Sequence, residues 1–195
     1  MVLTCAHCVT HDDHDDDAVN VVDADKLGCI VELVTAHGTQ IGAVCTKIDI
    51  DVDLALLQIP PHLRNNLALS SMDIGPAGSD SDGVRIFALG NPCDIDLETD
   101  SETQRRNGFF PFHVSEGRLE HKISLHKSKR EGLGRQIHSA WTYWGHSGCP
   151  LIGMLECKDG LEPLVLSIHN SWDERNGNRH GISLDEIISF VGSHS

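Results

Sequence analysis

Short apolar segments rich in Val, Ile and Leu alternate along this chain with polar breaks, and long stretches with helical spacing of apolar residues are missing. In the first 75 or so residues the segments are Val2 to Val9, Ala18 to Val22, Cys29 to Thr35, Gln40 to Ile48 and Asp53 to Ile59, none longer than nine residues. Runs of that length and composition predict strands. Pro60 and Pro61 close the last of them, and Ser70 to Gly83 is a Ser/Gly/Asp/Pro linker, which divides the chain into residues 1–75 and 76–195. The pattern resumes with Val84 to Leu89, Phe112 to Glu120, Gln136 to Trp141, Leu151 to Glu156, Leu164 to Ile168 and Gly181 to Leu184. Between them, Asp94 to Gly108 and Lys122 to Arg135 hold no core and read as exposed loops. Asp185, at a cap position ahead of Glu186, Ile187, Ile188, Phe190 and Val191, predicts a short terminal helix. Many short strands and one helix mean an all-β chain, a barrel or a sandwich.

Composition narrows the partners more than the fold. With 39% hydrophobic and 23% charged residues, the 195-residue chain has the make-up of a soluble globular protein with one substantial core or two small ones. No run approaches the roughly 18 apolar residues of a membrane helix, and no secretory signal is legible at the N-terminus. A formal net charge of −14 leaves no basic face for phosphates, so neither a nucleic-acid nor a membrane partner is expected. His11 to Asp17 packs five acids into seven residues and reads as a solvated acidic loop. The alternative, a divalent-cation site of carboxylates and imidazoles, lacks the glycine and distal glutamate of an EF-hand loop, and no metal or cofactor is expected. The seven cysteines are odd in number and include a single C-x-x-C, Cys5-Ala6-His7-Cys8.

Candidate chemistry centres on Trp144-Gly145-His146-Ser147-Gly148-Cys149-Pro150-Leu151. A serine flanked by glycines and followed by proline and an apolar run predicts a sharp loop feeding a buried strand. A hydroxyl alone is a poor nucleophile; it needs a base to take its proton and a carboxylate to orient that base. The chain offers His7 on the first apolar strand and Asp53 just before the strand Leu54 to Ile59. Asp51 is a rival acid, two residues earlier and on the same face of a strand. The order His, Asp, Ser is that of the chymotrypsin template, whereas α/β-hydrolases run Ser, acid, His and need a glycine where Cys149 stands.

These blocks resemble the trypsin-like serine peptidases. Leu3-Thr4-Cys5-Ala6-His7-Cys8 is similar to L-T-A-A-H-C, Asp53-Leu54-Ala55-Leu56-Leu57 to D-I-A-L-L, and Gly145-His146-Ser147-Gly148-Cys149-Pro150-Leu151 to G-D-S-G-G-P-L. They follow one another at 46 and 94 residues. Ala88-Leu89-Gly90-Asn91-Pro92 and Gly181-Ile182-Ser183-Leu184-Asp185-Glu186-Ile187 resemble segments of the HtrA (Deg-like) branch. The resemblance implies a two-barrel chymotrypsin-like fold with a C-terminal helix, and a serine endopeptidase acting on polypeptides through an acyl-enzyme. His7 would be general base, Asp53 its orienting acid and Ser147 the nucleophile, with the backbone N–H groups of Gly145 and Ser147 as oxyanion hole. A peptidase-like binding domain without turnover is the alternative. The chain opens inside the family's histidine block, so the first barrel is expected to be incomplete, with an unpaired edge.

The family's partner for the cysteine after the histidine lies upstream of Met1, so Cys8 is expected to be a free, buried thiol. His146 stands where secreted trypsins carry an activation aspartate, and Cys149 replaces a glycine. Trp141 occupies the place of the aspartate that binds basic side chains, so no preference for them is expected; Trp141, Ser167 and His169 are the candidate substrate-pocket residues.

Overall fold

The computed structural model describes residues 1–10, 26–66, 69–78, 82–94, 106, 108, 112–122, 136–157, 160–173 and 177–192. The first half forms a four-stranded antiparallel sheet from β1 (Val2–Thr4), β2 (Ile30–Val34), β3 (Gln40–Asp49) and β4 (Leu54–Gln58). Among the described residues their order is β1-β4-β3-β2. In β3, residues 41, 43 and 45 face inward and 40, 42 and 46 outward, the period-two pattern of a half-buried strand. β4, central in the sheet, buries four consecutive residues, Leu54 to Leu57.

The second half closes into a six-stranded barrel. Its strands are β5 (Arg85–Gly90), β6 (His113–Lys122), β7 (Gln136–His138), β8 (Pro150–Cys157), β9 (Gly160–Asp173) and β10 (Asn178–Ser183), in the order β10-β7-β6-β5-β8-β9. Gly117 lets two chain segments cross closely: a Cβ there would lie 2.1 Å from the Ala140 backbone nitrogen. The described ends of the linker are not free of the barrel, since Ile74 forms a parallel bridge with Val165 and Gly75 N–H donates to Val165 O at 3.0 Å. The segment expected at Ala18 to Val22 and the acidic tract His11 to Asp17 lie outside the described residues.

Two expectations need correction. Val2 to Val9 is not one strand: β1 ends at Thr4, and residues His7–Thr10 form a helical turn, α1, closed by Val9 and Thr10 N–H donating to Ala6 O at 2.9 and 3.1 Å. His7 therefore stands on a helix. A second short helix, α2 (Pro61–Asn66), follows β4 and begins on a proline, which helices accept in their first turn. The terminal helix is present as α3 (Leu184–Gly192), but Asp185 lies inside its first turn. Ser183 precedes the helix, and its hydroxyl meets Glu186 Oε2 at 3.1 Å, the S-x-x-E spacing of a capping box.

Packing fixes the two halves against each other. One buried cluster fills the barrel, with Ile86, Leu119, Leu151 and Leu166 fully enclosed. Another lies under the four-stranded sheet around Ile41, Ala43, Cys45 and Leu57. A third joins them: Cys5, Leu54 and Leu56 pack on Ile168 and Ile182 of the barrel and on Ile187 and Phe190 of α3. This cluster lies beneath the histidine block, the acid turn and β9.

Candidate active site

Asp53 occupies the turn ahead of β4 with φ 62°, a left-handed conformation that aspartate tolerates better than most residues. Val52 N–H donating to Asp49 Oδ1 at 3.1 Å and Asp53 N–H donating to Ile50 O at 3.3 Å hold the turn. Both ends of Asp53 then serve α1. Its carbonyl accepts Ala6 N–H at 3.1 Å, and its Oδ1 accepts His7 N–H at 3.0 Å. The His7 ring completes the contact, with Nδ1 at 3.0 Å from Oδ1 and 2.9 Å from Oδ2. A carboxylate on Nδ1 keeps the proton there and leaves Nε2 as the basic nitrogen. Asp51, exposed in the same turn, is not the residue that meets His7.

The sequence places Asn170 in the strand expected to wall the pocket but gives no sign of its contact with the acid: Asn170 of β9 reaches Asp53 Oδ2 through Nδ2 at 3.5 Å. The contact spans 117 residues, and no local pattern announces it. Burial pulls the His7 pKa down, but the hydrogen bond from Asp53 and a second interaction with Cys8 outweigh it and raise the pKa to about 10.

The cysteines on either side of His7 take opposite characters. Cys5 is fully buried and its Sγ donates to His169 O at 3.3 Å; Cys8 is exposed, not buried as expected, and free as expected, with Sγ 3.6 Å from Ser147 O. The interaction of the two thiols is the main cause that raises the Cys5 pKa and lowers the Cys8 pKa, with His7 further favouring the Cys8 thiolate. Cys5 Sγ, a His7 ring nitrogen and an Asp53 oxygen lie within 4.8 Å of one another. Within this group His7 and Asp53 are hydrogen-bonded to each other, while Cys5 donates outside it to His169 O.

The serine loop runs from Trp141 into β8. Gly145 has φ 92°, and a Cβ there would sit 2.4 Å from Asn91 O; Gly148 has φ 81°, and a Cβ there would sit 2.3 Å from Thr4 Oγ1. Both glycines are thus required by conformation and by space. Gly148 is where the loop presses on the histidine block. The loop is also tied to β9, since Gly148 N–H donates to His169 O at 2.9 Å and His169 N–H to Cys149 O at 3.0 Å. Cys149 does not adopt a positive φ, so a side chain is accommodated where the family carries glycine. The N–H groups of His146, Gly148 and Cys149 have acceptors, whereas those of Gly145 and Ser147 have none among the described residues. His7 and Asp53 are therefore joined, and Ser147 abuts them through its carbonyl on Cys8. No hydrogen bond links the Ser147 hydroxyl to His7 in this arrangement.

Of the pocket candidates, Trp141 is half-buried, stacked parallel on Tyr143 at 6.0 Å and edge-on to His113 and His146. Ser167 and His169 are buried and engaged inside the barrel: Ser167 Oγ donates to Ile182 O at 2.7 Å, and His169 Nδ1 lies 3.0 Å from His138 Nε2. Desolvation lowers the pKa of both imidazoles to about 3, so they stay neutral.

The mostly-β chain, with a closed six-stranded barrel and a short C-terminal helix, has the fold of chymotrypsin-like serine peptidases. The chain belongs to that family: the model for the trypsin-like peptidase domain matches residues 1–154. Among solved structures, the active form of the Rv3671c protease from M. tuberculosis is similar, with TM-score 0.63 and 18% identity, over 97% of this chain and 67% of that one. The serine endoprotease from Yersinia pestis (TM-score 0.59, 17% identity) matches over 98% of this chain and 52% of its own. The HtrA-type protease AlgW, solved with a decapeptide, has the same score and identity over 98% and 48%. The chain thus spans about half the length of these last two. A search of curated proteins returned no match.

Proposed function

We propose that the protein is a serine endopeptidase that cleaves polypeptides through an acyl-enzyme, with Ser147 as nucleophile, His7 as general base and then acid, and Asp53 as the group that orients His7. The observation that carries this reading is the Asp53 carboxylate bound to His7 Nδ1 at 2.9 Å, which leaves Nε2 as the base. Ser147 attacks the scissile carbonyl as Nε2 takes its proton; the imidazolium, stabilised by Asp53, then protonates the leaving amine. Water repeats the sequence to release the acid. The uncommitted N–H groups of Gly145 and Ser147 suit the oxyanion, where losing one donor costs ~3 kcal/mol of transition-state stabilisation. The division at residues 75/76 remains part of this reading, with His7 and Asp53 before it and Ser147 after.

A second reading, a peptidase-like domain that binds peptides without turnover, is favoured by the missing hydrogen bond between Ser147 and His7. A fluorophosphonate probe separates the two. Labelling that rises with pH and disappears in Ser147→Ala supports hydrolysis; a folded chain that stays unlabelled up to about pH 10, where half of His7 is neutral, supports binding alone.

A further inference from the structure

Arg179 of β10 carries a charge that the described residues leave unanswered. It is half-buried, and its Nε is withdrawn from water without a hydrogen-bond partner among the described residues. No carboxylate among the described residues pairs with its guanidinium. Burial draws its pKa down, yet an arginine stays charged. A buried guanidinium N–H without an acceptor is costly, and an anion brought to it removes that cost.

Strand register puts this cation between the two segments that bracket the serine loop. On one side Arg179 is opposite His138 of β7, from which the chain runs through Ser139 and Ala140 into Trp141 and the loop. On the other it is opposite Trp172 of β9, two residues beyond Asn170, whose amide reaches Asp53. Residues directly opposite in antiparallel strands share a face, with Cβ atoms about 5 Å apart. His138 in turn meets His169 through Nε2 and Nδ1 at 3.0 Å, and the backbone of His169 holds the serine loop at 2.9 and 3.0 Å. The barrel thus passes from a buried pair of neutral imidazoles to half-buried Arg179 and exposed Trp172, at the end where the serine loop docks.

We propose that Arg179 is a specificity-determining residue that binds the side-chain carboxylate of an Asp or Glu whose own carbonyl Ser147 attacks, so that the enzyme cleaves after acidic residues. A carboxylate presents two acceptor oxygens at the spacing of the guanidinium fork, and it supplies the missing counter-charge. The imidazole pair beneath is uncharged and hydrogen-bonded to itself, so Arg179 alone sets the sign of the side chain accepted. A lysine or arginine of the substrate in the same place meets a like charge and is rejected.

The position of the scissile bond rests on the serine-peptidase reading, so recognition is measured apart from turnover. Acetylated tetrapeptides ending in Glu, Gln or Lys, the acyl-side products of such a cleavage, are titrated into the full chain by calorimetry. The corresponding peptide esters are assayed for kcat/KM. The Glu peptide should bind, and its ester react, roughly tenfold better than the Gln counterpart, as a charge-assisted pair exceeds a neutral hydrogen bond, with Lys weaker still. Arg179→Gln should erase the preference for Glu over Gln. Arg179→Lys should keep part of it, since the charge remains without the fork, and Arg179→Glu should turn it toward Lys. Circular dichroism checks the fold of each variant, and Arg179→Lys carries the same test if the glutamine variant unfolds. A wild-type chain indifferent to Glu against Gln, or a preference that survives intact in a folded variant, overturns the proposal. Binding that follows Arg179 in a chain that hydrolyses nothing and takes no fluorophosphonate on Ser147 supports the acidic-peptide site and refutes the peptidase reading.

Discussion

Replacing Asp53 by Asn isolates the electrostatic part of the site. The amide has the same shape, tolerates the left-handed φ of 62°, and its oxygen can still accept His7 N–H where Oδ1 does at 3.0 Å, so the turn and α1 should persist. What changes is the second oxygen, 2.9 Å from His7 Nδ1. An NH2 group there donates, and the only oxygen left, Oδ1 at 3.0 Å from Nδ1, already accepts His7 N–H, so the tautomer with Nδ1 as acceptor is favoured and the proton shifts toward Nε2, the atom that has to receive the serine proton. In chymotrypsin-type triads the same exchange of the orienting acid lowers turnover about 10⁴-fold through the wrong tautomer, roughly 5 kcal/mol of barrier. We expect a loss of that order in the acylation rate by a fluorophosphonate or a peptide ester, with an unchanged circular dichroism spectrum and a urea midpoint close to wild type. A folded Asp53→Asn protein that acylates within about tenfold of wild type would refute the claim that the carboxylate selects the tautomer.

Other consequences follow from the same geometry. Gly148→Ala places a Cβ 2.3 Å from Thr4 Oγ1 at a φ of 81°, and should lower stability by roughly 2 kcal/mol, read from the urea midpoint; an unchanged midpoint would mean that the loop does not press on the histidine block. In Cys8→Ser one of the interactions that raise the His7 pKa is gone, so that pKa falls from about 10, followed by the ring C–H resonances in a pH titration; a stationary pKa would contradict the influence of Cys8 on His7. Ile187→Ala opens the cluster shared by α3, the barrel and the histidine block and should cost about 2–5 kcal/mol in thermal or urea unfolding. Ser183→Ala removes the hydroxyl that donates to Glu186 at the start of α3 and should cost ~1 kcal/mol, whereas Asp185→Ala should cost less.

Much of the fold was legible because strands here bury one face or both: β3 alternates, β4 is continuously apolar, and each predicts its own burial from period alone. The histidine block was misjudged because an apolar run has the same letters whether it continues as a strand or winds into a helical turn. What decides is Asp53, 46 residues away, which captures the first N–H groups of that turn. Strand parity put Asp51 on the same face as Asp53 and so left it a rival, whereas both precede β4 in a turn; the family block favoured Asp53. The α3 cap was within reach of the sequence, since Ser183 and Glu186 have the capping-box spacing, but an acid nearer the apolar run drew the assignment to Asp185. Asn170 and the exposure of Cys8 depend on how β9 and the serine loop dock against α1, and tertiary placement of that kind leaves no periodic trace.

The central claim is that Ser147 becomes transiently acylated under the control of His7. Intact-protein and peptide mass spectrometry on acid-quenched turnover of an activated peptide ester tests it directly. The account predicts an acyl adduct on the peptide carrying Ser147, accumulating as pH rises toward 10 and absent in His7→Ala. Ester cleavage with no adduct on Ser147, or with the adduct on Cys8, would contradict it.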